Sequence, residues 1–135
     1  MSANGVTDAA LLAARCLIGL LFVAGAVQKI VSPGDAQALL EMQGLPAVLV
    51  WPAFAFNAAA GLLLIAGVWV RPVAVVLAVY CGVTSFFHLI PSDPWQMSIF
   101  AKNWSIAGGC LALAVAGSGR LALRPDTSQG QARRS

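Results

Sequence analysis

The chain has 135 residues, of which 59% are hydrophobic and only 10% are charged. Soluble domains carry roughly 25% charged residues, and a small domain leaves much of its surface in water. A chain this apolar could not hide its side chains as a soluble globule. The composition therefore excludes a soluble enzyme, a disordered chain and a nucleic-acid-binding protein, and it indicates an integral membrane protein.

Four apolar segments follow one another between charged or proline-rich boundaries, at about residues 9–27, 47–70, 71–90 and 104–117. Helices of about 20 residues cross a hydrocarbon core of roughly 30 Å, and they satisfy their own backbone hydrogen bonds in lipid. A β-barrel would need more strands than the chain can supply. We therefore predict an all-α fold, with a four-transmembrane-helix bundle over residues 1–124 and a polar, disordered cytoplasmic tail over residues 125–135.

The first apolar segment also resembles a signal peptide, because Ala24-Gly25-Ala26 would suit a cleavage site. No positive charge precedes Arg15, however, so an uncut first helix is the better interpretation.

Lysine and arginine predict the orientation of the helices, because cytoplasmic loops carry an excess of both. With four spans, one side holds every arginine and the other side holds Lys29 and Lys102. We therefore expect a multi-pass protein of the cell inner membrane with both termini in the cytoplasm.

The link between the first two spans has helix signals of its own. Ser32-Pro33-Gly34-Asp35 is typical of a helix start, with proline at the first helical position, and Gly44 is typical of a stop. This pattern predicts a short interfacial helix over the outer end of the bundle.

Small residues recur at four-residue spacing on three of the spans. In lipid, helices approach closely through such residues because no hydrophobic force drives them together. We expect these faces to point inward: Ala53, Asn57 and Gly61 on the second span, Ala74, Ala78 and Gly82 on the third, and Gly108, Ala112 and Ala116 on the fourth.

Several polar residues gather at the outer ends of the spans: His88, Gln28, Lys29, Lys102 and Asn103. Hydrogen-bond donors at the edge of an apolar bundle could hold the carbonyl oxygens of a quinone, and a histidine could exchange protons. The simpler interpretation is that both lysines extend to the interface and that His88 caps the third helix. A docking surface for another subunit is the third alternative.

Two polar residues fall within the spans themselves. Arg15 lies near the cytoplasmic end of the first span, where we expect its side chain to extend toward the interface rather than to pair with a lipid phosphate or a partner's carboxylate. Asn57 lies about 15 Å deep in the second span, where an amide more often bonds a neighbouring helix than a ligand.

The sequence offers no catalytic residue and no metal site. Cys16, Cys81 and Cys110 lie far apart without a CxxC pair, and a single histidine cannot supply a bis-histidine haem. We therefore expect no cofactor within the chain alone and leave quinone as the candidate carrier.

Several motifs, taken in order, resemble the DoxX family of small four-helix membrane proteins. The resemblance covers about residues 9–124 and lies in these strings: Arg15 with Ala24-Gly25-Ala26-Val27-Gln28-Lys29-Ile30, Met42-Gln43-Gly44-Leu45-Pro46, Gly61-Leu62-Leu63-Leu64-Ile65-Ala66-Gly67, Phe87-His88, Gln96-Met97, Phe100-Ala101-Lys102-Asn103-Trp104-Ser105-Ile106-Ala107-Gly108-Gly109, and Gly117-Ser118-Gly119-Arg120. One position departs from the family, because a frequent glutamate ahead of the glycine run is Asn57 here.

The resemblance implies a membrane subunit associated with an oxidoreductase system, such as quinone-linked sulfur oxidation or a thiol-stress complex. Its expected partners are the lipid bilayer and other redox subunits, with homo-oligomers left open. The alternative is a non-catalytic membrane scaffold or assembly factor. A transporter or channel is disfavoured, because ionisable residues that face the bundle interior are few.

Overall fold

The computed structural model describes residues 3–126, and within this range it contains helices and turns but no strands. The helices are α1 (Ala3–Val31), α2 (Pro33–Met42), α3 (Val50–Ala66), α4 (Val70–Ser85) and α5 (Pro94–Ala116), with 3₁₀ turns at Ala47–Leu49 and Phe86–His88. Four segments are long and apolar enough to cross a membrane: Ala3–Val31, Ala47–Ala66, Val70–His88 and Pro94–Ala116. The predicted all-α fold with four spans is confirmed.

The last span begins well before the predicted boundary near Trp104. Asp93 caps α5, because its carboxylate accepts hydrogen bonds from the backbone N–H groups of Trp95 at 3.0 Å and Gln96 at 3.4 Å. Pro94 follows at the first helical position, where its missing N–H costs nothing. Lys102 and Asn103 therefore lie inside α5 rather than at its start, and the cap that the sequence contains was missed.

The predicted short helix between the first two spans is confirmed as α2. Pro33 occupies its first position, and the chain leaves it through Gly44, whose φ of 72° is left-handed and suits glycine. α2 contacts the adjoining ends of α1 and α3 and both 3₁₀ turns. We call this end of the bundle the α2 end.

The four long helices pack as two pairs, α1 with α3 and α4 with α5. The first pair meets at Gly19 and Gly61, where a Cβ on Gly61 would lie 2.7 Å from the Gly19 carbonyl oxygen. In the second pair, Ala74 and Ala78 of α4 are buried together with Cys110 of α5. The inward faces predicted for the second and third spans are confirmed at these residues.

The face predicted for the fourth span is wrong. Gly108 and Ala112 are exposed, and a Cβ on Gly108 would meet nothing within 4 Å. The buried face of α5 carries Ala107, Cys110 and Leu113 instead, and these residues belong to the core formed with α4.

Arg15 does not extend to the interface, and that expectation is also wrong. Its side chain is fully buried and donates to the carbonyl oxygens of Leu64 at 3.2 Å, Ile65 at 3.4 Å and Leu121. The last carbonyls of a helix have no partner within it and carry partial negative charge, so a cation there is stabilised. Arg15 therefore caps the end of α3, and the left-handed Gly67 (φ 77°) leaves room for its guanidinium.

Residues 117–126 fold back across the same end of the bundle. Arg71 donates to the α5 carbonyls of Ala114 and Val115 and lies 3.7 Å from the Asp126 carboxylate. Arg120 bonds Asp8 of α1 at 2.6 Å. We call this the arginine end. The disordered tail is predicted for residues 125–135, and residues 127–135 of it lie outside the part of the chain that the structure describes.

The close contact between α1 and α3 can be tested by adding one methyl group. Gly61→Ala should lower the free energy of unfolding by about 1–3 kcal/mol, because the new Cβ overlaps the Gly19 carbonyl and the Val23 side chain. Gly108→Ala adds the same methyl group in open space and should be neutral or stabilising. Thermal unfolding in detergent compares them, and equal stability of the two variants would contradict the packing.

The cap made by Arg15 gives a second test. Arg15→Met keeps a long apolar side chain but removes the charged donor from the carbonyls of Leu64, Ile65 and Leu121, so the unfolding free energy should fall by about 1–3 kcal/mol. Arg124→Met removes the same charge from an exposed side chain that stacks on Trp69, and it should cost less. An Arg15→Met protein as stable as the Arg124→Met protein would show that these bonds contribute nothing.

Candidate functional site

A cavity of about 670 Å³ lies between the two helix pairs at the α2 end, lined by residues of all five helices. Every polar residue that the sequence placed at the outer rim lines it: Gln28, Lys29, His88, Lys102 and Asn103. Asn57 lines its deep part, whereas Arg15 lies at the opposite end of the bundle and takes no part. The structure thus brings six of the seven selected residues to one cavity.

Asn57 is the most deeply buried polar residue of the cavity, with 4% of its surface exposed. Its Oδ1 atom has no hydrogen-bond partner among the described residues, although the Tyr80 hydroxyl is within reach of the amide. An unpaired buried acceptor costs about 1–3 kcal/mol. The more common role of such an amide is a hydrogen bond to a neighbouring helix. If the amide nitrogen makes that bond, Oδ1 is still left without a donor from the described residues.

Lys29 turns back into the bundle instead of extending to the interface. Its Nζ atom donates to the Gly25 carbonyl one turn earlier in α1, at 3.4 Å, and the side chain is partly buried. This position differs from the simpler interpretation offered for the lysines. Lys102 does match that interpretation, because its side chain is exposed and its Nζ lies 5.4 Å from the centre of the Trp95 ring.

His88 is held in place by Gln96 rather than acting as a helix cap. Its Nδ1 atom lies 2.6 Å from Gln96 Oε1. Because an amide oxygen can only accept, Nδ1 is the donor in this contact. The pairing spans the end of α4 and the first turn of α5, so the Asp93 cap that starts α5 also positions this histidine.

The aromatic residues Phe22 and Tyr80 line the cavity and were not selected from the sequence. The Tyr80 ring packs edge-on against Phe22, with 6.2 Å between ring centres, and tilted against Phe56, at 4.8 Å. These residues come from three helices, and their convergence has no sequence motif. The sequence signals available for this region were the four-residue spacing from Ala53 to Asn57 and the order of the helices. These signals identify an inward helix face, but they do not show that a cavity lies beside it.

Comparisons with known proteins agree with this architecture. A family model described as DoxX matches residues 10–89, which run from α1 to the turn after α4. The inner membrane protein YqjF of Escherichia coli strain K12 is 30% identical over 113 residues, covering 83% of this chain and 87% of the relative. No solved structure matches the chain.

Because Asn57 Oδ1 is unpaired within the described part of the chain, we expect that replacing Asn57 by an apolar residue stabilises the protein, although it removes a group that a ligand could bind. Asn57→Leu has a similar volume and removes the buried acceptor, so the ligand-free protein should gain about 1 kcal/mol in unfolding free energy. Asn103→Leu changes a partly exposed amide at the rim and should have little effect. Thermal unfolding of both variants checks this, and a loss of stability in Asn57→Leu would instead indicate a structural hydrogen bond.

Proposed function

The chain belongs to the DoxX family, and we propose that this member is a membrane subunit of an oxidoreductase system whose cavity binds the head group of a quinone. We also propose that it resides in the inner membrane, as the name of its E. coli relative states for that protein, with both termini cytoplasmic. The arginines at the arginine end support this orientation, because lysine and arginine are enriched in cytoplasmic loops.

One observation carries the quinone proposal: an amide with an unpaired oxygen lies at the deep end of a membrane cavity that is rimmed by donors. Asn57 can donate through Nδ2 to a quinone carbonyl and accept through Oδ1 from a quinol hydroxyl, so it suits both oxidation states. A ligand hydroxyl that donates to Oδ1 would give this buried oxygen a hydrogen-bond partner.

The rest of the cavity fits a ring with two opposed oxygens and an apolar tail. Leu21, Phe22, Ile99 and Ile106 supply apolar walls, as in most small-molecule sites. Lys29 and Asn103 supply further donors.

The chain's own part in such a system is to bind and orient. A bound quinone supplies the capacity to take up two electrons and two protons. His88 could relay a proton to the quinone through Nε2, taking it up from solution and passing it to a quinone oxygen, because its Nδ1 is committed to Gln96. The electrons must come from a partner, since the three cysteines are single thiols in an apolar setting.

Tryptophan fluorescence can test binding, because Trp95 lines the cavity. A short-chain benzoquinone added to the detergent-solubilised protein should quench this emission saturably. Gly25→Val should weaken binding by about ten-fold or more, equivalent to 1.4 kcal/mol, because its side chain would fill the space beside Asn57.

Gly108→Val is the matched control, since the same side chain points into open space on α5. Trp95→Phe should remove most of the quenching if the quinone lies in this cavity. Quenching that does not saturate, or equal affinities for the two valine variants, would contradict the proposal. Co-purification with a soluble dehydrogenase in the absence of quinone binding would favour the scaffold alternative.

A further inference from the structure

The charge of Lys29 is uncompensated within the cavity. Its ammonium group has three N–H donors, and one of them is used by the Gly25 carbonyl. Between residues 3 and 126 the ion pairs join Arg71 to Asp126 and Arg120 to Asp8, all at the arginine end. No carboxylate of the described chain lies within 4 Å of Lys29. A cation held in a membrane cavity without a counter-ion favours a ligand that brings negative charge.

Asn57 supplies a second donor at the same place. The Nδ2 atom of Asn57 lies 3.3 Å from the point where a Cβ on Gly25 would stand, and the Nζ atom of Lys29 lies 3.9 Å from that point. The absence of a side chain at Gly25 therefore leaves a gap next to two nitrogen donors, one on α1 and one on α3. All three residues line the cavity.

We infer that Lys29 and Asn57 together bind a negatively charged oxygen on the ligand's head group, so that the cavity prefers an anionic head group to a neutral one. This inference rests on the proposed function and names the charge state that the site selects. Two convergent donors, one of them charged, bind an oxyanion more strongly than a neutral carbonyl. The interaction is stronger in a cavity than in water, because the effective dielectric constant is lower.

The other charged groups of the cavity do not offset this arrangement. Asp35 on α2 and Lys102 on α5 are both exposed, so water screens them, and Lys102 is stacked on Trp95. The Nδ1–H of His88 is bonded to Gln96. Lys29 is thus the partly buried cation of the cavity, and it borders the same gap at Gly25 as the buried amide.

Two quinones of the same ring size separate this inference from the proposed function. At neutral pH 2-hydroxy-1,4-naphthoquinone is an anion, whereas 2-methoxy-1,4-naphthoquinone is neutral. The wild-type protein should bind the hydroxy compound more tightly than the methoxy compound, by about ten-fold or more. Titrations followed by calorimetry or tryptophan quenching measure the two affinities. Lys29→Met should reduce this ratio to about one, because it removes the charge that distinguishes the two compounds, whatever it does to the affinity that both share.

Lys102→Met is the matched control, because it removes the same charge from an exposed position at the rim. It should retain the preference for the anion. Equal affinities of the wild-type protein for both compounds, or a preference that survives Lys29→Met, would overturn the inference and leave quinone binding intact. Binding of neither compound would overturn the proposed function and this inference together.

Discussion

The close approach of α1 and α3 at Gly19 and Gly61 is the contact on which the rest of the structure depends. In lipid, apolar side chains gain nothing by leaving the solvent, so helices associate where small residues let their backbones meet. That contact, together with Ala74 and Ala78 on α4, concentrates the packing within two pairs of helices. The space left between the pairs at the α2 end is the cavity.

The opposite end of the bundle is closed by arginines. Arg15 and Arg71 each cap a helix other than their own, and residues 117–126 fold back over them. Arg15 and Arg71 are among the arginines that predict the orientation of the helices. They also donate hydrogen bonds to the last carbonyls of α3 and α5. Because these contacts close the arginine end, the polar residues that are available to a ligand lie at the α2 end.

Much of the fold could be predicted from the sequence, because it follows from local chemistry. Hydropathy identified the four spans, proline and glycine marked α2, and the ordered motifs carried the family resemblance that the comparisons confirm. One failure is local, because the Asp93-Pro94 start of α5 was not recognised; the others concern tertiary geometry. The sequence cannot show that Arg15 reaches α3 or that Lys29 turns back toward Gly25. The outward face of Gly108 was mistaken for an inward one because its spacing is the same as that of Gly61.

The account's central claim is that the cavity between the helix pairs holds a quinone, and native mass spectrometry of the protein released from its own membranes tests it most directly. The spectrum should contain a species heavier than the bare chain by the mass of one membrane quinone. That species should be lost in Gly25→Val and kept in Gly108→Val. Spectra that contain only the bare chain and phospholipid adducts would contradict the claim.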